Sequence, residues 1–269
     1  LEASRKDLAF RTREGLIHVS RKPPEIDEED ESEFLAHYQG EEYPRPSVAV
    51  DLVILTIVDV DLKVLLVRRS EHPFKGVRAL PGGFVRVGDS SKNQGEDLDA
   101  AAARVLSEKT GLPSRSLYLE QLYTFGKANR DPRMRVISVA YYALVRPDLV
   151  PFVEARQMVE NGSPRAVWLS FSQTGSEPLA FDHSEILKTA VKRISGKIDY
   201  TDIAFELVPA TFTIGELRSV HEVIKGTAYD PGNFRRRFQR MLADRIIEKA
   251  PGKRLTVSRP AAVFRFRRP

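Results

Sequence analysis

Cysteine is absent from this 269-residue chain, tryptophan occurs once and methionine three times. Without cysteine there is no disulfide framework, no thiolate zinc site and no cysteine nucleophile. The absence fits a reducing compartment, and a cytoplasmic protein is the expectation. Long apolar runs are missing too. The stretches Val48–Val60 and Val136–Val145 are broken by polar residues and fall short of the roughly 18 apolar residues a spanning helix needs, so no membrane contact is expected. Leu1 does not open a basic-then-apolar leader pattern.

Hydrophobic residues make up 42% and charged residues 29%. A chain of this length and composition can bury a core without staples, and at roughly 150 residues per domain it should form about two. The net charge of +5 hides an asymmetry. Residues 1–46 carry 7 basic and 12 acidic side chains, whereas residues 233–269 carry 12 basic and 2 acidic ones. A basic end on a nearly balanced body suits a polyanion partner.

Residues 1–45 read as an acidic, weakly structured segment, with Pro23–Asp30 poor in apolar periodicity. From Pro46 the pattern turns β-rich. Val48–Val58 and Val64–Arg68 form a hairpin around Asp59–Lys63. Leu80–Val85 is a strand entering a glycine turn, and Leu117–Phe125 and Val136–Val145 are further strands. Asp97–Glu108 is an alanine-rich helix stopped by Gly111 and Pro113. These elements place a mixed α/β domain at 46–172. A linker, 173–200, carries a helix over Ser184–Ile194.

Residues 201–269 differ in kind. Thr213 and Glu216 form a capping box for a helix over Ile214–Lys225 that Gly226 ends. Asp230-Pro231 starts a second helix. Two strands around a Pro251–Pro260 loop complete a winged helix-turn-helix pattern. Phe234, Phe238, Met241 and Leu242 share one apolar stripe of the second helix. That leaves Asn233, Arg235, Arg236, Arg237, Gln239 and Arg240 for DNA, with Lys253, Arg254 and Arg259 on the wing.

The string Leu80–Asp89 followed by Arg104–Leu112 resembles a Nudix box. Its pattern is G-x5-E-x7-R-E-U-x-E-E-x-G-U, where U is apolar. Gly83, Arg104, Leu106, Glu108, Gly111 and Leu112 match, and residues 90–95 read as an insertion of six. Val105 and Lys109 stand where the family has glutamates. The family's carboxylates hold Mg²⁺, which neutralises a diphosphate and activates water. Valine cannot ligate, and lysine places a cation where another should sit. Hydrolysis is therefore expected to be lost or weak, with Mg²⁺ weak or absent, no catalytic residue and no metal ligand to assign. Restoring Glu at 105 and 109 is expected to recover some metal binding.

The pocket can outlast that chemistry. Arg69, Gly82, Gly83, Arg104, Glu108, Lys109, Phe125, Arg130, Arg133 and Arg135 are the candidate ligand residues, an aromatic ring beside arginines suiting an adenine beside phosphates. Leu122–Gly126 with Arg130–Arg133 resembles the ADP-ribose-type Nudix branch. Over residues 46–269, Arg45–Asp51, the altered box, Asp182–Leu187 and Asn233–Arg236 resemble Nudix-related transcriptional regulators of NAD metabolism. That resemblance implies an α+β architecture, a Nudix-like α/β/α sandwich followed by a winged helix. It further implies a homodimer on a palindromic operator in double-stranded DNA, repression of NAD-synthesis or salvage genes, and ADP-ribose or a related metabolite as effector, with no required cofactor. An active hydrolase with a basic accessory domain, a sugar-responsive regulator and a protein-interaction module remain as alternatives.

Overall fold

The computed structural model describes residues 9–12, 15–18, 28–38, 44–90, 93–156, 159–160, 163–164, 166–255 and 260–267. Residues 1–45 and 46–269 form two separate units. The first holds a hairpin, Ala9–Thr12 against Gly15–His18, and helix α1, Glu28–His37. The segment read as weakly structured therefore enters a helix at Glu28. The charge order explains this: acidic residues fill the first turns and His37 the last, as the helix dipole favours.

The second unit is built on a mixed sheet. Its strands are β1 (Ser47–Val58), β2 (Asp61–Arg68), β3 (Arg78–Ala79), β4 (Gly82–Phe84), β5 (Tyr118–Phe125), β6 (Val136–Leu144) and β7 (Ala166–Ser170). The order is β7-β2-β1-β6-β5, with β3 on β2 and β4 on β1. The β1–β6 pair is parallel, running from Ser47↔Val136 to Leu55↔Leu144; the other pairs are antiparallel.

Strand β1 is buried on both faces and splits its side chains between two layers. Val50, Leu52 and Ile54 face helix α2 (Leu98–Thr110) through Ala101, Ala102, Val105 and Leu106. Val53, Leu55 and Ile57 join the core on the opposite side, where helix α4 (His183–Lys197) lies. A short helix α3, Val150–Arg156, follows β6. This is the expected sandwich. Gly111, at φ 70°, ends α2 by donating its N–H to the Ser107 carbonyl. The expected six-residue insertion leaves the body as a small hairpin, Val87–Ser90 with Asn93–Gly95. The chain closes below it where Glu96 N–H donates to the Arg86 carbonyl at 3.0 Å.

The winged helix comprises α5 (Ile214–Lys225), α6 (Pro231–Ala243) and a wing of β8 (Ile247–Leu255) with β9 (Pro260–Phe266). Thr213 N–H donates to Glu216 Oε2 at 2.6 Å, and Glu216 N–H returns a bond to Thr213 Oγ1 at 3.2 Å, closing the capping box. Asp230 accepts from Asn233 N–H ahead of Pro231. Phe212 and Phe264 exchange backbone bonds at 2.8 Å and fasten the wing to the start of α5.

One feature departs from the linker expected at 173–200. Ile186, Leu187, Ala190 and Ile194 of α4 lie in the same buried cluster as Val53 and Leu55 of the sheet, Leu217 and Val220 of α5, and Phe234 and Phe238 of α6. Helix α4 is a shared core element, because its apolar face is wide enough to serve both neighbours. The two domains should then unfold together. Phe238→Ala, about 3–5 kcal/mol less stable by the usual cost of such a cavity, is expected to lower the urea midpoint reported by Trp168 fluorescence on β7. An unmoved Trp168 transition would show that the shared core does not couple them.

Candidate ligand pocket and DNA-binding face

A cavity of about 260 Å³ opens beside the first half of β1, at Ala49 and Asp51, next to the glycine turn. Of the residues expected to bind a ligand, Arg69, Gly82, Gly83, Lys109, Arg130 and Arg133 line it. Gly82 is there for want of room: a Cβ would stand 2.3 Å from Asp51 Oδ1 and 2.8 Å from the Val50 carbonyl oxygen. Gly83 is less constrained, its Cβ position meeting only Val105 at 3.5 Å.

Arg130 is the organising cation. Its side chain is buried, and it donates to Asp182 through Nε at 2.9 Å and Nη2 at 2.6 Å, and to Asp51 Oδ2 through Nη2 at 3.2 Å. Burial works against its charge, but the bonds it donates to Asp182 and the nearby charge of Asp51 outweigh it and raise its pKa. Asp51 also accepts from the Ser138 hydroxyl. His183 Nδ1 accepts from Leu80 N–H at 2.9 Å, which leaves the proton on Nε2, 3.5 Å from Asp51 Oδ1. Burial pushes the His183 pKa down, so the ring stays neutral.

The remaining arginines are also engaged. Arg133 forms a bidentate pair with Asp131, at 3.0 and 2.8 Å, and lies 5.7 Å from the centre of the Phe84 ring. Arg69 donates to the Pro73 carbonyl at 2.7 Å and sits 4.8 Å over Phe181. Burial and the Arg133 guanidinium lower its pKa. The lining thus sets four cations against three carboxylates, Asp51, Glu71 and Asp131. An anionic ligand would enter by exchanging partners with carboxylates rather than by filling a bare basic cradle.

The aromatic partners are not the expected one. Phe125 is 7% exposed and belongs to the core, whereas Tyr123, two residues earlier on the same face of β5 and edge-on to it at 5.4 Å, is exposed. The rings on the pocket are Phe84 and Phe181. Phe181 holds φ at 54°, a conformation that costs a non-glycine residue about 1–3 kcal/mol. That backbone lets Phe181, Asp182 and His183 all serve the same site.

Arg104, Glu108 and Arg135 do not line the cavity. Arg135 is exposed. Arg104 instead holds the box together, donating through Nε to Glu96 at 3.0 Å and through Nη2 to the Phe84 carbonyl at 3.2 Å, with Glu108 at 3.5 Å. Glu96 therefore takes the box's first carboxylate position toward the helix, and Asp89 is carried off on the inserted hairpin. Val105 is 1% exposed within the α2 core. A glutamate restored there would have to break that packing before reaching a metal, so the double reversal is a poor route to metal binding. Among the described residues no three acidic or histidine side chains gather as a metal site.

On the winged helix, Asn233, Arg235, Arg236, Gln239 and Arg240 are exposed on α6, and Lys253 is exposed on the wing. Arg236 donates to Asn233. Two expected DNA contacts are otherwise occupied. Arg237 donates to Asp199 Oδ1 at 3.0 Å and to the Asp199 carbonyl at 2.6 Å. Arg254 donates to the Thr211 carbonyl at 2.8 Å and pairs with Glu216, bracing the wing against α5. Arg259 lies outside the described residues. Burial opposes the charge of Asp199, yet Tyr229, Arg237 and Lys225 hold its carboxyl well below the ordinary range. Asp199 escaped the sequence reading, and Asp182 entered it only within the family resemblance, not as a site residue; a carboxylate at each end of a predicted helix was the available signal.

Comparison with known proteins fits this geometry. The NUDIX domain family matches residues 48–190, and the NrtR DNA-binding winged helix domain family matches residues 204–266. The chain is 37% identical over 236 residues to the ADPR responsive transcriptional repressor NtrR of Acinetobacter baylyi, covering 88% of each. It is 32% identical over 154 residues to an ADP-ribose pyrophosphatase of Methanocaldococcus jannaschii, 57% of this chain and 78% of that protein. The fold matches Shewanella oneidensis NrtR complexed with a 27mer DNA at a TM-score of 0.70 and 33% identity, over 82% of this chain and 93% of that one.

The Arg104–Glu96 pair sets a pH signature. Chiefly through the bond from Arg104, the Glu96 pKa falls from 4.5 to about 2. A carboxylate depressed in the folded state contributes stability that is full above about pH 4.5 and is lost as pH falls toward 2. Urea unfolding of wild type and Glu96→Gln across that window should converge at the acid end; a constant gap would contradict the assignment.

Proposed function

Because the chain belongs to the NrtR family, a NUDIX domain followed by a DNA-binding winged helix, we propose that it represses NAD-synthesis or salvage genes. ADP-ribose or a related NAD metabolite releases it from DNA. The observation that carries this reading is the joining, on one continuous core, of a pocket of arginines and aromatic rings to a helix with an exposed basic face.

Phe84 and Phe181 would bracket an adenine, and Arg69, Lys109 and Arg133 would meet the phosphates. Lys109 lines the pocket at a glutamate position of the box, so its charge supports diphosphate binding with little or no Mg²⁺. The protein would act in the cytoplasm as a homodimer on a palindromic operator, since one recognition helix covers only a half-site. The 32% match to a pyrophosphatase favours the second reading, an active hydrolase. Turnover of ADP-ribose with Mg²⁺ above about 1 s⁻¹, the low end of ordinary enzymes, would establish it; the proposal expects much slower turnover.

The exposed face of α6 carries the base contacts. Arg236→Ala should cost about 1–3 kcal/mol on the duplex the protein selects from random-sequence DNA. Lys253→Ala, a phosphate contact, should lower the salt slope by about 1 and weaken all sequences alike. A fragment ending at Lys197 that still bound the selected duplex would remove the winged helix from this role.

Ligand control obeys linkage. ADP-ribose is expected to weaken operator binding by about 5–150-fold, and operator DNA must weaken ADP-ribose binding by the same factor. Equal ADP-ribose affinity in the presence and absence of saturating operator would refute the regulatory reading.

A further inference from the structure

Helix α4 begins and ends on a carboxylate that holds an arginine of another element. At its N-cap, Asp182 accepts two bonds from Arg130, the buried cation of the pocket. Two residues beyond its last turn, Asp199 accepts from Arg237 of α6 at 3.0 Å, with Lys225 at 3.1 Å and the Tyr229 hydroxyl at 2.7 Å. The helix between them, 15 residues, is about 22 Å long at 1.5 Å per residue. Ile186, Leu187, Ala190 and Ile194 are fully packed along it. Close-packed interiors pass a displacement on rather than absorb it, so a shift at one end reaches the other.

We propose that the ligand signal is an exchange of partners at Arg130: the anionic ligand takes the guanidinium from Asp182, α4 is released at its N-terminus, and Asp199 at the far end resets the pose of α6. The inference rests on the regulatory reading given above. Arg130 suits the exchange because Asp51 stays within 3.2 Å of it, so its charge is never left buried and alone. Asp182 suits it because a carboxylate freed at a helix N-terminus remains favourably placed in the helix dipole. The same loop makes a second hold on α4, Lys127 to Glu185 at 2.6 Å, which places the whole segment from 127 to 130 on the first turn of the helix.

The test uses the full chain, ADP-ribose as probe and the selected operator duplex. Operator affinity is measured with and without saturating ADP-ribose for wild type, Asp182→Asn, Asp182→Glu and Asp199→Asn, with Trp168 fluorescence confirming the fold. Asp182→Asn should bind ADP-ribose at least about threefold tighter, having lost its competitor. Its operator response should shrink from the wild-type factor, about 5–150-fold for such couplings, to below about threefold. Asp182→Glu should retain much of the response. Asp199→Asn should lose it from the other end, and it decides the matter if Asp182→Asn does not fold. An undiminished response in a folded Asp182→Asn or Asp199→Asn protein overturns the inference alone. A wild type indifferent to ADP-ribose overturns the regulatory reading, and this inference with it.

Discussion

The buried bond network of Arg130 with Asp51 and Asp182 is the constraint from which the rest of the Nudix half follows. Three segments far apart in sequence must arrive together: the middle of β1, the loop before β6 and the start of α4. A buried charge without its partner is costly, so none of the three can drift. This explains a buried aspartate between Val50 and Leu52, in a strand made mostly of valine, leucine and isoleucine. It also explains Gly82, whose missing side chain leaves the space that Asp51 occupies. Even His183 fits: kept neutral, it accepts a backbone bond without adding a second positive charge beside Arg130.

That network fixes where α4 begins, and α4 fixes the winged helix. Its apolar face completes the second layer of the sandwich and continues into the core of α5 and α6. Polar ties reinforce the path, with Arg193 donating to the Leu122 carbonyl at 2.9 Å and Lys197 to Glu120 at 2.8 Å. The Nudix domain and the winged helix are therefore parts of one packed body: α4 touches both, and α5 also meets β2 of the sheet directly.

Local chemistry was readable from the sequence and long-range pairing was not. Gly111, the Thr213–Glu216 box and Asp230-Pro231 announced helix ends through interactions within four residues. The apolar run of β1 and the stripe of Phe234 and Phe238 announced buried faces. The pocket was harder. Phe125 and Phe84 look alike in sequence, and only strand register decides that one is core and the other wall. Arg237 and Arg254 look like their neighbours on the basic tail, yet their partners, Asp199 and Glu216, lie 38 residues away in each case. A partner at that separation leaves no local pattern, so an arginine that braces cannot be told from one that reads DNA.

The shared core also limits how freely such a protein can be taken apart and recombined. A winged helix grafted from elsewhere would have to supply the apolar surface that meets Ile194 and the cations and hydroxyl that meet Asp199. A cut placed anywhere in α4 would open both halves at once. The part that can change without structural consequence is the outward side of α6, where Arg235, Arg236, Gln239 and Arg240 project from a helix held in place by Phe234 and Phe238. Side-chain replacement is thus open to such a protein on that one face, whereas exchange of whole modules is not.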